Sequence, residues 1–388
     1  MPIKNRLAEM HEEITGWRRD FHENPELLYE VHRTAAKVAD LLRGFGCDEV
    51  VEGIGQTGVV GVIEGKANTS GRVVLLRADM DALPIIEAVD RPYKSKVPGK
   101  MHACGHDGHT AMLLGAAKYL AETRNFDGKV VLMFQPAEEG GAGAKAMIDD
   151  GLLTRWGVTE GYGMHNMPGM AVGQFSIKPG PFYAATDQFE ITVIGRGGHA
   201  AKPNATIDTT LVAAQMVVAL QSIVSRNVDP LESAVVSVCT FRTESEAFNV
   251  IPERVTLKGT LRTFKPEIRK LGEERIRAIA AGVAATFGAT AEVWWNVGYP
   301  ATVNHEVETE YAAEAARRVA GSVQLQAAPQ MGGEDFAYVL EAIPGAYIQI
   351  GNGDSADVHH PAYDFNDEAL PAGASFWVEL AESRLKAA

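Results

Sequence analysis

A chain of 388 residues is longer than one hydrophobic core usually fills, so two domains are expected. Its 50 acidic residues outnumber 36 Lys and Arg for a formal charge of −14, with no basic stripe to neutralise phosphates, and this excludes nucleic acid as a partner. Cys47, Cys104 and Cys239 are too scattered for a disulfide framework and fit a reducing cytoplasm; the N-terminus lacks a secretory apolar run, and no apolar run approaches a membrane span.

Apolar spacing at Ile3, Leu7, Met10, Ile14 and Trp17 predicts a helix from Ile3 to Phe21, broken at His22-Glu23-Asn24-Pro25-Glu26. A second helix is expected from Tyr29 to Phe45, stopped by Gly44 and Gly46. Valine- and leucine-rich runs from Gly58 to Glu64 and from Arg72 to Arg77 read as buried strands. The second leads into Asp79 and Asp81, carboxylates at the carboxyl end of a strand, where sites of open α/β sheets collect. His102-Ala-Cys104-Gly-His106-Asp107-Gly-His109 then concentrates imidazole and thiol donors on a glycine-rich loop that opens a helix from Thr110 to Thr123. That donor chemistry suits a borderline-soft divalent ion: zinc above all, with cobalt, nickel or manganese as alternatives.

The strand Lys129–Phe134 ends in Gln135-Pro136-Ala137-Glu138-Glu139-Gly140. Neighbouring residues on an extended chain face opposite ways, so the two glutamates should differ in role, one ligating and the other transferring protons. A short strand from Gly161 offers His165 and Asn166 at its end.

The character changes near Pro179-Gly180-Pro181. A strand at 189–193, a helix at 206–224, strands at 234–241 and 254–264, a helix at 266–287 and a strand at 290–296 follow in the β-α-β-β-α-β order of a ferredoxin-like domain. His199, Asn249 and Arg262 stand at its strand ends or in its strands. The α/β style then returns with a helix at 305–320, the acidic loop Met331–Phe336, a strand at 346–350, Val358-His359-His360-Pro361, and a last helix opened by Asp367. The expected architecture is therefore an α/β catalytic domain of mixed sheet with helices on both faces, residues 1–183 and 298–388, carrying an inserted domain at 184–297. Cys104, His106, Glu139, His165 and His359 would converge at one sheet edge, more donors than one tetrahedral ion needs but enough for two ions with a shared ligand.

The cysteine-histidine run, the Pro136-Ala-Glu138-Glu139-Gly pair, His165-Asn166 and His359 before Pro361 resemble the hippurate hydrolase/N-acyl-amino-acid amidohydrolase branch of the aminoacylase and carboxypeptidase metallopeptidases, to which plant auxin-conjugate hydrolases also belong. The resemblance runs from Trp17-Arg18-Arg19 through Asp364-Phe365-Asn366. It implies a hydrolase with two divalent ions per subunit, held by Cys104 in a bridging place with His106, Glu139, His165 and His359. His359 rather than His360 is implicated because the family's ligand stands two residues before the proline. By the same resemblance Glu138 is the general base and Asp79 orients a ligand histidine. His199 would reach a partner subunit's substrate carbonyl, Asn249 and Arg262 would grip a substrate carboxylate, and the inserted domain would act as a lid that forms a homodimer or dimer of dimers. Arg77 departs from the wider superfamily, which carries its first ligand histidine there. The implied reaction is amide hydrolysis of N-acyl amino acids; a dipeptidase or carboxypeptidase, an N-acetyl-diaminopimelate deacetylase, and a non-catalytic amino-acid-binding relative are the alternatives.

Overall fold

The computed structural model describes residues 4–386. These separate into two compact units, one containing residues up to Phe182 with Val303–Ala328 and the stretch from Asp335, the other Tyr183–Thr302 with Pro329–Glu334. The return of 329–334 to the second unit follows from backbone pairing: the Ala184 amide donates to the carbonyls of Gln330 and Gly332.

The first unit is built on a seven-stranded mixed sheet. Its strands are β1 (Glu49–Ile54), β2 (Gly58–Glu64), β3 (Val73–Asp79), β4 (Lys129–Gln135), β5 (Glu160–Pro168), β6 (Phe175–Ser176) and β7 (Gly345–Gly353), in the spatial order β1-β2-β4-β3-β5-β7-β6. The four central strands β4, β3, β5 and β7 run parallel. Their continuous apolar runs, such as Val73 to Leu76 and Val130 to Phe134, are what a sheet covered on both faces requires. The helix His106–Thr123 carries buried side chains around its whole circumference. It packs among β3 and the helices His11–Glu23, His32–Phe45 and Leu370–Arg384.

Several element bounds differ from the sequence expectation. The first helix is two, Asn5–Glu9 and His11–Glu23, and its expected start at Ile3 lies outside the described residues. The helix of the metal-type loop begins at His106, so His106 and His109 occupy its first turn instead of the loop before it. No side chain caps this start; Gly105 does so in a left-handed conformation (φ 87°), and a Cβ there would fall on the Asn166 amide and the Tyr363 hydroxyl. His165 lies inside β5, not at its end, yet the β3–β5 ladder stops at Arg77 opposite Gly163. His165 therefore stands just past the paired part of the β3–β5 ladder, level with Asp79, while still paired with Gln349 of β7.

The second unit has the expected β-α-β-β-α-β order: Ala185–Ile194, Thr209–Leu220, Ala234–Thr243, Arg254–Thr263, Pro266–Thr286 and Thr290–Val297. The first strand lies between the third and the last, the second at an edge, and all neighbours are antiparallel. Phe189, Ile191, Val193, Val255, Leu257 and Leu261 alternate toward the two helices and form this unit's core. One expectation fails here. The segment Thr209–Asn227 is long and apolar enough to cross a membrane by length and composition. In the fold it is a helix to Leu220 followed by a wide turn, with Val212, Ala213, Met216 and Leu220 packed into the unit's core.

Arg77 of β3 shows how the central strands are tied at their carboxyl ends. Its guanidinium is fully buried and donates to Asp79 (2.6 Å), Gln135 (2.8 Å) and Asp335 (3.1 Å). Asp335 also accepts from the Gln135 side-chain amide (2.8 Å) and the Ala144 backbone (2.9 Å). Deleting one member of such a group leaves buried charge uncompensated. Arg77→Met is expected to lower the unfolding free energy of the metal-free protein by about 3–5 kcal/mol, read from chemical denaturation; a loss under about 1 kcal/mol would mean that Asp79 and Asp335 do not depend on this guanidinium.

Candidate metal centre

The sheet places donors at the carboxyl ends of β3, β4 and β5, and the loops around them do the rest. Asp79 closes β3, and Asp81 follows it. Beyond β4, the chain turns through Ala137 in a left-handed conformation (φ 53°) to present Glu138 and Glu139. Asp81 fixes that turn: its two carboxylate oxygens accept the backbone N–H groups of Glu138 (2.9 Å) and Glu139 (3.1 Å). Such a conformation costs a non-glycine residue on the order of 1–3 kcal/mol and persists only where surrounding contacts enforce it. His359 is a second case (φ 65°), its N–H donating to the Ala103 carbonyl at 2.7 Å and so joining its loop to the cysteine loop.

All five expected ligands meet. Donor atoms of Cys104, His106 and His165 lie within 4.8 Å of one another, as do those of Cys104, Glu139 and His359, and those of His106, Glu138 and Glu139. The first two triads share Cys104, so a thiolate in a bridging place would use all five residues. Cys104 Sγ is 3.3 Å from His165 Nε2, and His359 Nε2 is 3.2 Å from Glu139 Oε1. His360 turns away, its Nδ1 accepting the Ala362 N–H.

The charge balance of this cluster fits a bound cation. Burial and the carboxylates of Glu139, Glu138 and Asp79 push the Cys104 thiol well above its ordinary range. Burial alone would lower His106, but Asp79, Asp81 and Glu139 outweigh it and raise the imidazole to about 10. Both effects mark a site deficient in positive charge. Both ring nitrogens of His106 are buried without a hydrogen bond; the nearest carboxylates, Asp81 and Asp79, stand at 3.6 and 3.7 Å. His165 has the opposite character: burial, His109 and His106 hold it well below its usual value, so it is neutral. Its Nδ1–H donates to the Asn166 carbonyl (2.7 Å), which leaves Nε2 as the lone pair facing Cys104.

Asp79, expected to orient a ligand histidine, groups with both His106 and His109. Its hydrogen bond goes to His109, whose Nδ1–H donates to Oδ1 at 2.6 Å, while His106 Nε2 stands 3.7 Å from Oδ2. The other oxygen takes Arg77, and these neighbours hold the carboxyl well below its usual range despite burial. Gln135, Asn166, Asp335 and Tyr363, without expected roles of their own, also shape this centre. Asn166 carried a signal by adjacency to His165, and Asp335 by its place in the acidic loop Met331–Phe336.

The remaining expected residues lie in the second unit. His199 is exposed on a two-stranded ribbon where it pairs with Val250, and the Asn249 carbonyl accepts the Ala200 N–H (3.0 Å). The Ala201 N–H donates to His199 Nδ1 (3.1 Å), so the proton resides on Nε2 and points outward as a donor. Arg262 is half-buried and, among the described residues, has no ion-pair partner. It lines a groove of about 830 Å³ on the sheet face opposite the helices, with Lys258, Gln188, Cys239 and Trp294. That groove contains none of the five metal-type donors.

Comparison with known proteins agrees with this chemistry. Residues 75–383 match the profile of Peptidase family M20/M25/M40. A hippurate hydrolase of Campylobacter jejuni is 44% identical over 98% of both chains. An N-acetylcysteine deacetylase of Bacillus subtilis is 41% identical over 96% of both. A crystal structure from Bacillus subtilis, described as a dinuclear metal binding peptidase of the M20 family, superposes with a TM-score of 0.84 at 37% identity, covering 98% of this chain and 99% of that one.

Because Cys104 and His106 hold protons in the metal-free centre, an ion must displace them. Metal affinity is expected to rise with pH through the neutral range, with protons released on binding. Calorimetric titration of zinc in two buffers of different ionisation enthalpy reads this directly, and Cys104→Ser should remove the thiol's share. Binding heats that are identical across buffers would contradict it.

Proposed function

As a member of the M20/M25/M40 peptidase family, the protein is a hydrolase, and we propose that it is a metal-dependent amidohydrolase that cleaves N-acyl amino acids to a carboxylic acid and a free amino acid. The observation that carries this reading is the pair of donor triads sharing Cys104, with Glu138 beside them. Two divalent ions bound there would supply activated water at neutral pH and polarise the scissile carbonyl.

The chain's own residues then divide the work. Cys104, His106, Glu139, His165 and His359 would hold the ions. Glu138 acts as general base, taking a proton from the attacking water as its oxygen joins the amide carbon. When the C–N bond breaks, Glu138 returns that proton to the leaving amine. The assigned tautomer of His199, with Nε2–H outward, suits a donor to the developing oxyanion. Arg262, a guanidinium without an ion-pair partner among the described residues, suits the substrate's carboxylate, with Asn249 as a second grip. His199 would serve the active site of a second subunit. Dimerisation through this unit is supported by the apolar side chains of Leu211 and Val218 exposed on its helix and by the unpaired edge of the strand Ala234–Thr243. The three free cysteines are consistent with a cytoplasmic setting.

A hydrolysis screen tests the class. N-benzoyl, N-acetyl and indole-acetyl amino acids and a few dipeptides are offered with chelator and after zinc, manganese or cobalt is restored. Metal-restorable release of free amino acid from the acylated substrates is the expected result; release from dipeptides alone would make the protein a dipeptidase. Glu138→Ala should reduce kcat at least about 10²-fold with metal content retained, and full turnover in that variant would remove Glu138 from its role. Arg262→Ala should raise KM for carboxylate-bearing substrates and leave amide-capped analogues unaffected; equal loss on both would separate Arg262 from carboxylate recognition.

A further inference from the structure

Among the histidines of the metal-type loop, His109 is fully engaged yet belongs to neither triad that contains Cys104. Its ring is buried, with Nδ1–H committed to Asp79 (2.6 Å). Nε2 is committed too, accepting the Asn166 backbone N–H at 2.9 Å and lying 3.1 Å from the Asn166 side-chain nitrogen. Neither nitrogen retains a lone pair for an ion. What His109 holds is Asn166, and Asn166 holds two ligands. Its carbonyl accepts His165 Nδ1–H (2.7 Å), and its side-chain N–H donates to the Cys104 carbonyl (2.6 Å). The Tyr363 hydroxyl donates to Asn166 Oδ1 (2.7 Å), which fixes the amide's orientation.

We infer that His109 is a positioning residue for the metal centre: anchored by Asp79, it accepts the Asn166 N–H and thereby sets the tautomer and direction of His165 and the place of Cys104. The Arg77–Asp79–His109–Asn166 chain is continuous, each link at 2.9 Å or less. It begins at the residue that departs from the wider superfamily. Arg77 is no ligand; its position serves to hold Asp79, and Asp79 is thereby directed to His109. Groups of this kind behind metal ligands alter metal affinity by about 10–100-fold when removed.

The inference rests on Cys104 and His165 being ligands, and the experiment separates the two ideas. Metal-free protein is titrated with cobalt(II) alone. Stoichiometry, affinity and the near-ultraviolet thiolate-to-cobalt charge-transfer band are read, with no substrate present. A wild-type protein without that band would overturn the ligand assignment and this inference with it. Two conservative variants then divide the imidazole's functions. His109→Gln can place its side-chain oxygen where Nε2 accepts from Asn166, whereas His109→Asn keeps a donor toward Asp79 and loses that acceptor. The expected result is cobalt affinity within about threefold of wild type for His109→Gln. For His109→Asn a loss of about tenfold or more, with a weakened thiolate band, is expected. Wild-type affinity in a folded His109→Asn protein, or equal losses in both variants, would overturn the proposal. If neither variant folds, Tyr363→Phe decides: it deletes only the hydroxyl that orients Asn166, and a severalfold loss of cobalt affinity supports the chain while an unchanged titration refutes it.

Discussion

An excess of buried negative charge governs this centre. Asp79, Asp81, Glu138 and Glu139 gather where β3 and β4 end, and Arg77 is the buried guanidinium among them. A low-dielectric pocket tolerates that arrangement only if protons or cations make up the difference. In the metal-free state protons do so, on the Cys104 thiol and on His106. The same charge organises the backbone, because Asp81 spends both oxygens on the amides of Glu138 and Glu139 and so holds a turn that Ala137 would not adopt unaided.

The two units present different kinds of polar group. In the first, donors are soft or anionic, buried, and aimed inward from strand ends and a helix start, as a cation requires. In the second, the groups of interest are donors of hydrogen bonds or positive charge: an outward Nε2–H on His199 and a guanidinium in a sheet-face groove. Each has a local anchor, His199 through the Ala201 amide and Arg262 through its backbone pairing opposite Thr186 in the central ladder. Under the proposed function, these groups would meet the carbonyl and the carboxylate of an N-acyl amino acid.

Much of this was legible in the chain because it is local. Gly58–Glu64 shows no alternation and is apolar up to its terminal Glu64, so a covered strand was readable to the residue. The donors were legible through chemistry: cysteine and histidines among glycines, paired glutamates between proline and glycine. What was not legible is long-range. Asp335 reaches Arg77 across 258 residues and Gln135 across 200, and nothing near Met331–Phe336 announces those partners. Tyr363 and Asn166 are equally distant in sequence. The start of the helix at His106 was missed because a left-handed glycine replaces the usual Ser, Thr, Asp or Asn cap. The apolar length of Thr209–Asn227 was underestimated because its residues cover a core instead of forming one unbroken run of large side chains.

His359 gives the centre a front and a back. Its side chain is 52% exposed, whereas Cys104 and His106 are buried and His165 is only partly accessible. An ion held by Cys104, Glu139 and His359 would face solvent through a half-exposed ligand on a loop in a left-handed turn; an ion held by Cys104, His106 and His165 would meet solvent only through the partly accessible His165. The two should therefore exchange on separate timescales, the front ion first, and a half-loaded protein should accumulate during chelation. A single-phase loss of both metals would show instead that the shared thiolate makes their departure one event.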